Sequence, residues 1–77
     1  MEIEMKDVQS LRIKSIGYDK KNRVLRVEFL SNGAVYDYSG VPIDIFNQML
    51  MAESKGRFFG SYIAKEYPYI KVVKEIK

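Results

Sequence analysis

The residues best placed to do chemistry are Ser54-Lys55-Gly56-Arg57. They stand at an expected helix start, where Ser54 fits the N-cap position. Free backbone N–H groups, the helix dipole, a hydroxyl, an ammonium and a guanidinium would converge there, which suits an anion such as phosphate. Gly56 would let a ligand approach the backbone. This is not a nucleotide-binding P-loop, because the Gly-x-x-x-x-Gly-Lys-Ser/Thr spacing is absent. Arg57, Ser61 and Lys65 follow at intervals of four on the same helix, beside the small residues Gly60 and Ala64. Such a basic rail can lie along a phosphate backbone, pack against another subunit or stand as a solvated face. Gly60 costs a helix about 1 kcal/mol relative to Ala, which calls for a packing reason. Arg12, Lys14 and Arg26 fall on two strands expected to pair, where like charges call for Glu28 or an external anion nearby. The plainer reading of both groups is a capped helix and a soluble sheet face.

Tyr36 and Tyr38 are two apart on a predicted strand and therefore share one side of the sheet. On an open side they would be candidates for stacking on unpaired bases. Under the helices they are core, with their hydroxyls reaching the rim. Phe46, Phe58, Phe59 and Tyr62 need an apolar floor, which favours the core. Asp37, between the tyrosines, projects to the other side.

What is missing narrows the chemistry further. The chain has no Cys and no His. That removes disulfides, thiolate ligands, thiol nucleophiles, Ser–His pairs and ordinary zinc sites. No paired carboxylates stand out, and no base is placed to activate a serine. The expectation is no catalytic residue, no enzyme activity, no cofactor and no metal. The net charge of +3 is modest. Its distribution says more, since residues 1–11, 12–26, 27–53 and 54–77 carry −2, +5, −4 and +4. Two basic segments thus flank an acidic middle, and they form either one phosphate-facing surface or two separate patches. Met1 to Gln9 do not read as a signal peptide, and no apolar run approaches the roughly 20 residues of a membrane span. A cytoplasmic, non-membrane protein is expected.

The elements that must position these groups follow from periodicity. At 77 residues the chain allows one domain, 1–77. Leu11 to Tyr18 alternates like a strand but changes phase, which predicts a bulge or bend beside Gly17. Asp19-Lys20-Lys21-Asn22 is a polar turn. Arg23 to Phe29 is a second strand, with Leu25, Val27 and Phe29 on one face. Ser31-Asn32-Gly33 is a hairpin turn, and Ala34 to Tyr38 the third strand. Pro42 then suits a first helical turn, and Ile43, Phe46, Met49 and Leu50 recur at helical spacing. The second helix carries Phe58, Phe59, Tyr62 and Ile63 as its apolar stripe and ends before Pro68. Tyr69 to Ile76 is a possible fourth strand. The fold class is α+β: a three- to four-stranded antiparallel meander packed by a C-terminal helical pair, with the stripes buried on the Leu25–Val27–Phe29 face.

Several signals also come in a fixed order: Ser10, Ile16-Gly17-Tyr18-Asp19, Leu25-x-Val27-x-Phe29, Gly33-Ala34-Val35-Tyr36-Asp37-Tyr38, Val41-Pro42, Ala52-x-Ser54-Lys55-Gly56-Arg57-Phe58-Phe59, Ile63 and Tyr67-Pro68-Tyr69. Over about residues 8–70 this order resembles the KTSC domain, a small module named for the C-terminus of some lysyl-tRNA synthetases and also found free-standing in bacteria and phage. The hallmark Tyr-x-Tyr is matched by Tyr36 and Tyr38. The resemblance implies an antiparallel sheet with a helical pair, no known catalytic residue and a proposed role in RNA binding. Where the family usually has Asn after the Phe-Phe pair, this chain has Gly60, so an amide is missing. The leading functional expectation is a small module that binds RNA or another nucleic acid weakly, through Ser54, Lys55, Gly56, Arg57, Ser61, Lys65, Arg12, Lys14 and Arg26. The alternative is a small homo-oligomeric adaptor or inhibitor, of phage type, that binds a protein partner or captures a nucleotide. A fold-stabilising appendage without a ligand is a third.

Overall fold

The computed structural model describes residues 3–72. Its elements are β1 (Lys6–Asp7), β2 (Ile13–Asp19), β3 (Val24–Phe29), β4 (Val35–Ser39), α1 (Ile43–Met51), α2 (Lys55–Tyr62) and β5 (Tyr69–Val72). The strands form one sheet in the order β1-β2-β3-β4-β5, every neighbouring pair antiparallel. This is the α+β meander with a helical pair expected from the pattern, but with five strands rather than three or four. The additional strand, β1, is a two-residue Lys-Asp segment with no alternation to betray it. Of the expected strand from Tyr69 to Ile76, the part as far as Val72 is β5, and 73–76 lies outside the described residues.

The turns follow from side chains that replace backbone partners. The Asp19 carboxylate accepts from Lys21 N at 3.0 Å and Asn22 N at 3.2 Å. Arg23, expected as a strand residue, instead has φ 56°, and β3 begins one residue later. At the β3–β4 hairpin, Gly33 has φ 68° and Asn32 Oδ1 accepts from Ala34 N at 3.0 Å. The phase change in β2 is a register shift between Ile13 and Ser15, not a bulge at Gly17. Gly17 has another role. A Cβ there would lie 2.6 Å from Glu4 O and 2.6 Å from Ile3 Cγ2, so no side chain fits beneath the N-terminal segment.

The core lies between the sheet and the helices. Ile13, Ile16, Leu25 and Val27 are buried from the sheet, Met49, Phe59 and Ile63 from the helical half, and Val41 from the link between. Phe59 meets Tyr38 edge-on at 5.2 Å and Phe29 at 5.5 Å. Tyr18 stacks on Phe46 at 4.9 Å and donates its hydroxyl to Val41 O. Tyr62 departs from its expected place in the stripe. It is mostly exposed and rests on Phe58, because α2 ends there and Ile63, in the following turn, takes the core position.

Tyr38 is 5% exposed. Burial pushes its phenol up to about 12, and the neighbouring Tyr69 and Tyr36 add to the rise. Below pH of about 10, the ordinary phenol value, Tyr38 is neutral folded or unfolded and its stabilisation is whole. As pH climbs through the raised value the unfolded chain has given up the proton first, so stability is lost. A tyrosinate absorbance titration is expected to lose its latest phenol step in Tyr38→Phe, while the Tyr18 phenol, also raised by burial, is unaffected by that change. The denaturation midpoint should fall as pH rises above about 10.

Candidate functional site

A groove of about 560 Å³ opens where the β1–β2 connection meets the start of α2. One wall is Gln9, Ser10, Leu11 and Arg12; the other is Glu53, Ser54, Gly56, Arg57, Gly60 and Ser61. Each wall is fixed by a serine. Ser10 Oγ accepts from Arg12 N and Ile13 N, both at 3.2 Å, which curls the connection into a turn. Ser54 Oγ accepts from Arg57 N at 3.2 Å and caps α2 as expected. Gly56 brings the walls together. A Cβ on it would stand 3.2 Å from Arg12 Cδ and 3.5 Å from Ser10 Oγ, so the connection sits directly on the first turn of α2. The nearest neighbours are the side chains of Arg12 and Ser10, so a side chain at Gly56 would have to displace Arg12 by a few tenths of an ångström.

Arg12 and Arg57 therefore reach one groove from distant parts of the chain. Among the described residues, neither has a carboxylate within 4.0 Å. Glu53 lines the same groove and tempers its charge. Leu11 is 98% exposed at the lip, an apolar side chain with nothing packed on it. The exposed Gly60 has nothing within 4 Å of a Cβ position, so the expected packing reason is not there. Its lack of a side chain widens the groove instead.

The other expected site residues go elsewhere. Lys55 turns back and donates Nζ to Ala52 O at 2.9 Å, closing the end of α1. Arg26 faces the sheet's helix-free side, where its Nε and Nη2 donate to Asp37 at 2.7 and 2.9 Å. That hydrogen bond is the main cause of a guanidinium held even more firmly protonated than usual. Lys14 lies 3.9 Å from Glu28, which also accepts from Ser15 Oγ at 3.0 Å. Arg12, Lys14 and Arg26 thus do not form one anion site, since Asp37 and Glu28 supply the counter-charge for two of them. Lys65 is exposed and borders none of the grooves described. Tyr38 is core and Tyr36 half-buried at its margin, so the two rings do not lie side by side on an open sheet face. Ser10 and Gln9 were not among the expected site residues. The signal for Ser10 was a small hydroxyl residue two and three positions ahead of backbone donors at a strand start.

Residues 9–67 match the family model described as KTSC domain. The chain belongs to this family. A crystal structure of a KTSC domain protein from Yersinia pestis superposes with a TM-score of 0.89 at 39% identity, covering 94% of this chain and 100% of that one. An uncharacterised protein of Stutzerimonas stutzeri is 38% identical over 66 residues, 84% of this chain and 92% of its own length. A lysine–tRNA ligase of Nostoc punctiforme is 33% identical over 57 residues, 74% of this chain but only 10% of the ligase. Both groove walls of this KTSC domain fall inside the family match, whereas β1 and β5 lie outside it. Among its described residues no helix is long and apolar enough to cross a membrane.

Removing Arg26 would strand the Asp37 carboxylate, which is only 10% exposed. Arg26→Ala is expected to lower unfolding free energy by about 2 kcal/mol in urea titrations. The paired change Arg26→Leu with Asp37→Val should recover most of that loss, since it leaves no lone charge.

Proposed function

We propose that this KTSC domain is a small, non-enzymatic, cytoplasmic RNA-binding module whose arginine groove holds backbone phosphate. One observation carries the reading: Arg12 and Arg57 line one groove, without a carboxylate partner within 4.0 Å among the described residues. Two guanidiniums so placed offer forked donors to phosphate oxygens. The capped start of α2 adds favourable dipole charge on the same wall. The match to lysine–tRNA ligases adds support, since tRNA is the RNA their name states. The serines support a binding role over catalysis. Ser10 and Ser54 both accept from backbone N–H groups as turn and cap, and neither has a base beside it.

A second reading has its own observation. The free side of β5 has no strand partner among the described residues, and Tyr69 and Ile70 on it are 55% and 67% exposed. Pairing with a second copy along that edge would give the homo-oligomeric adaptor.

Single-stranded RNA should bind the domain with a log–log salt slope of roughly −0.7 per phosphate held. Arg12→Ala and Arg57→Ala are each expected to weaken binding and flatten the slope by about that amount. Affinity that ignores salt, or that survives both changes, would defeat the reading. Sedimentation of the free protein at low micromolar concentration separates the two: a monomer removes the edge-paired adaptor, and a dimer insensitive to RNA favours it.

A further inference from the structure

On the same end of the molecule lies a second groove, of about 310 Å³, bordered by Phe29, Tyr36, Tyr38 and Tyr69, with Ala34 and Ala64 leaving it open. Its rings are arranged around Tyr69, which stands 5.5 Å from Tyr36 at 48° and 5.4 Å from Tyr38 at 37°. Tyr69 is more than half exposed, so its ring still has area to offer.

The hydroxyls are the informative feature. Among the described residues only the Tyr18 phenol is hydrogen-bonded to protein; those of Tyr36, Tyr38 and Tyr69 have no protein partner. No buried side-chain polar atom there is left unsatisfied, so these hydroxyls open to solvent. For Tyr38, otherwise buried, this groove is the opening. Each phenol can donate or accept, which lets it meet the mixed edge of a heteroaromatic ring. Among the described residues no carboxylate borders the groove. Lys71 is the cross-strand partner of Tyr36 and shares its face of the sheet.

A backbone hydrogen bond links the borders of the two grooves. Leu30 N donates to Arg12 O at 3.0 Å, tying the arginine wall to the end of β3, where Phe29 and Ser31 border the aromatic groove. We propose that the aromatic groove takes one unpaired nucleobase of a single strand whose phosphate lies in the arginine groove. The base would lie against Tyr69 and Tyr36, turn its polar edge to the phenols and leave its own phosphate towards Lys71. A ring with two faces and a donor–acceptor edge matches this lining, whereas an aliphatic side chain would leave the phenols unused. The inference rests on the RNA reading for the strand that delivers the base, and its test separates the two.

The full chain is labelled at its alanine methyls, which are Ala34, Ala52 and Ala64. It is titrated with uridine and adenosine, which carry no phosphate, and separately with a short single-stranded RNA and an abasic oligomer of equal length. The expected result is ring-current shifts at Ala34 and Ala64 but not Ala52, and binding of the base-bearing strand about 5- to 150-fold tighter than the abasic one. Tyr69→Leu, which keeps an apolar side chain on an exposed strand, should reduce that ratio towards one with the amide spectrum otherwise preserved. Equal affinity for the two oligomers overturns the inference, as does a preference without shifts at Ala34 and Ala64. If the abasic strand binds and depends on Arg57 while nucleosides move nothing, the phosphate reading stands and the base site falls. Nucleoside shifts without abasic binding keep the base site and overturn the phosphate reading.

Discussion

Phe59 meets Phe29 and Tyr38 edge-on and is the ring through which α2 is held to the sheet. The helix has only eight residues, too few to persist alone in water. Its position therefore depends on what this ring and Ile63 bury. Phe29 and Tyr38 belong to β3 and β4, so the seat of α2 depends on the register of that hairpin. Once it docks, Gly56 meets the turn curled around Ser10, and Arg57 reaches the groove that Arg12 enters from the other wall. The charged site is thus a consequence of aromatic packing on the other face of the same short helix.

The same packing decides which arginines are free. Arg26 and Arg12 have equal intrinsic charge, yet they end in opposite circumstances. Arg26 lies on the sheet's other face with Asp37 directly across the ladder, and two charge-assisted bonds there satisfy both ions. Arg12 lies just before β2, past the last β2–β3 pair, with no carboxylate within 4.0 Å among the described residues. In a sheet with helices on one side only, such internal pairing lets the uncovered face carry charge without becoming an anion site. Ser15, Glu28 and Lys14 close the next row in the same manner.

Much of this was legible in the sequence. Period-two alternation gave β3 and β4, the Asn32-Gly33 turn joined them, and Ser54 marked the start of α2. The Arg26–Asp37 pair was not legible from the turn residues: a two-residue turn at Asn32-Gly33 would set Asp37 opposite Glu28, whereas the four-residue loop closed by Phe29 and Ala34 sets it opposite Arg26. Grouping Arg26 with other bases by charge alone passed over that register. Other features had no local signal. β1 is a Lys-Asp pair that becomes a strand only because Ile16 and Ser15 offer a free edge. Gly17 interrupts β2 without bulging it, since the segment it accommodates comes from residues 3–5. Tyr62 kept helical spacing with the stripe, but the helix stops there, and the following turn aims Ile63 rather than Tyr62 at the core.

The geometry also separates the two kinds of partner this domain could take. The grooves sit at the end of the molecule where Arg12 hydrogen-bonds Leu30, with α2 and the turn after it alongside. A strand of nucleic acid following that end would pass guanidiniums first and phenols next, and would leave most of the edge of β5 untouched. A protein partner added to β5 would use its backbone hydrogen-bonding groups and the exposed Ile70, and would reach the aromatic groove only through Tyr69. Tyr69 is therefore the one side chain at which strand addition and base stacking would compete. A domain that used both would couple oligomerisation to nucleic-acid binding through this ring, with the sign set by whether pairing along β5 covers its face or fixes it in place.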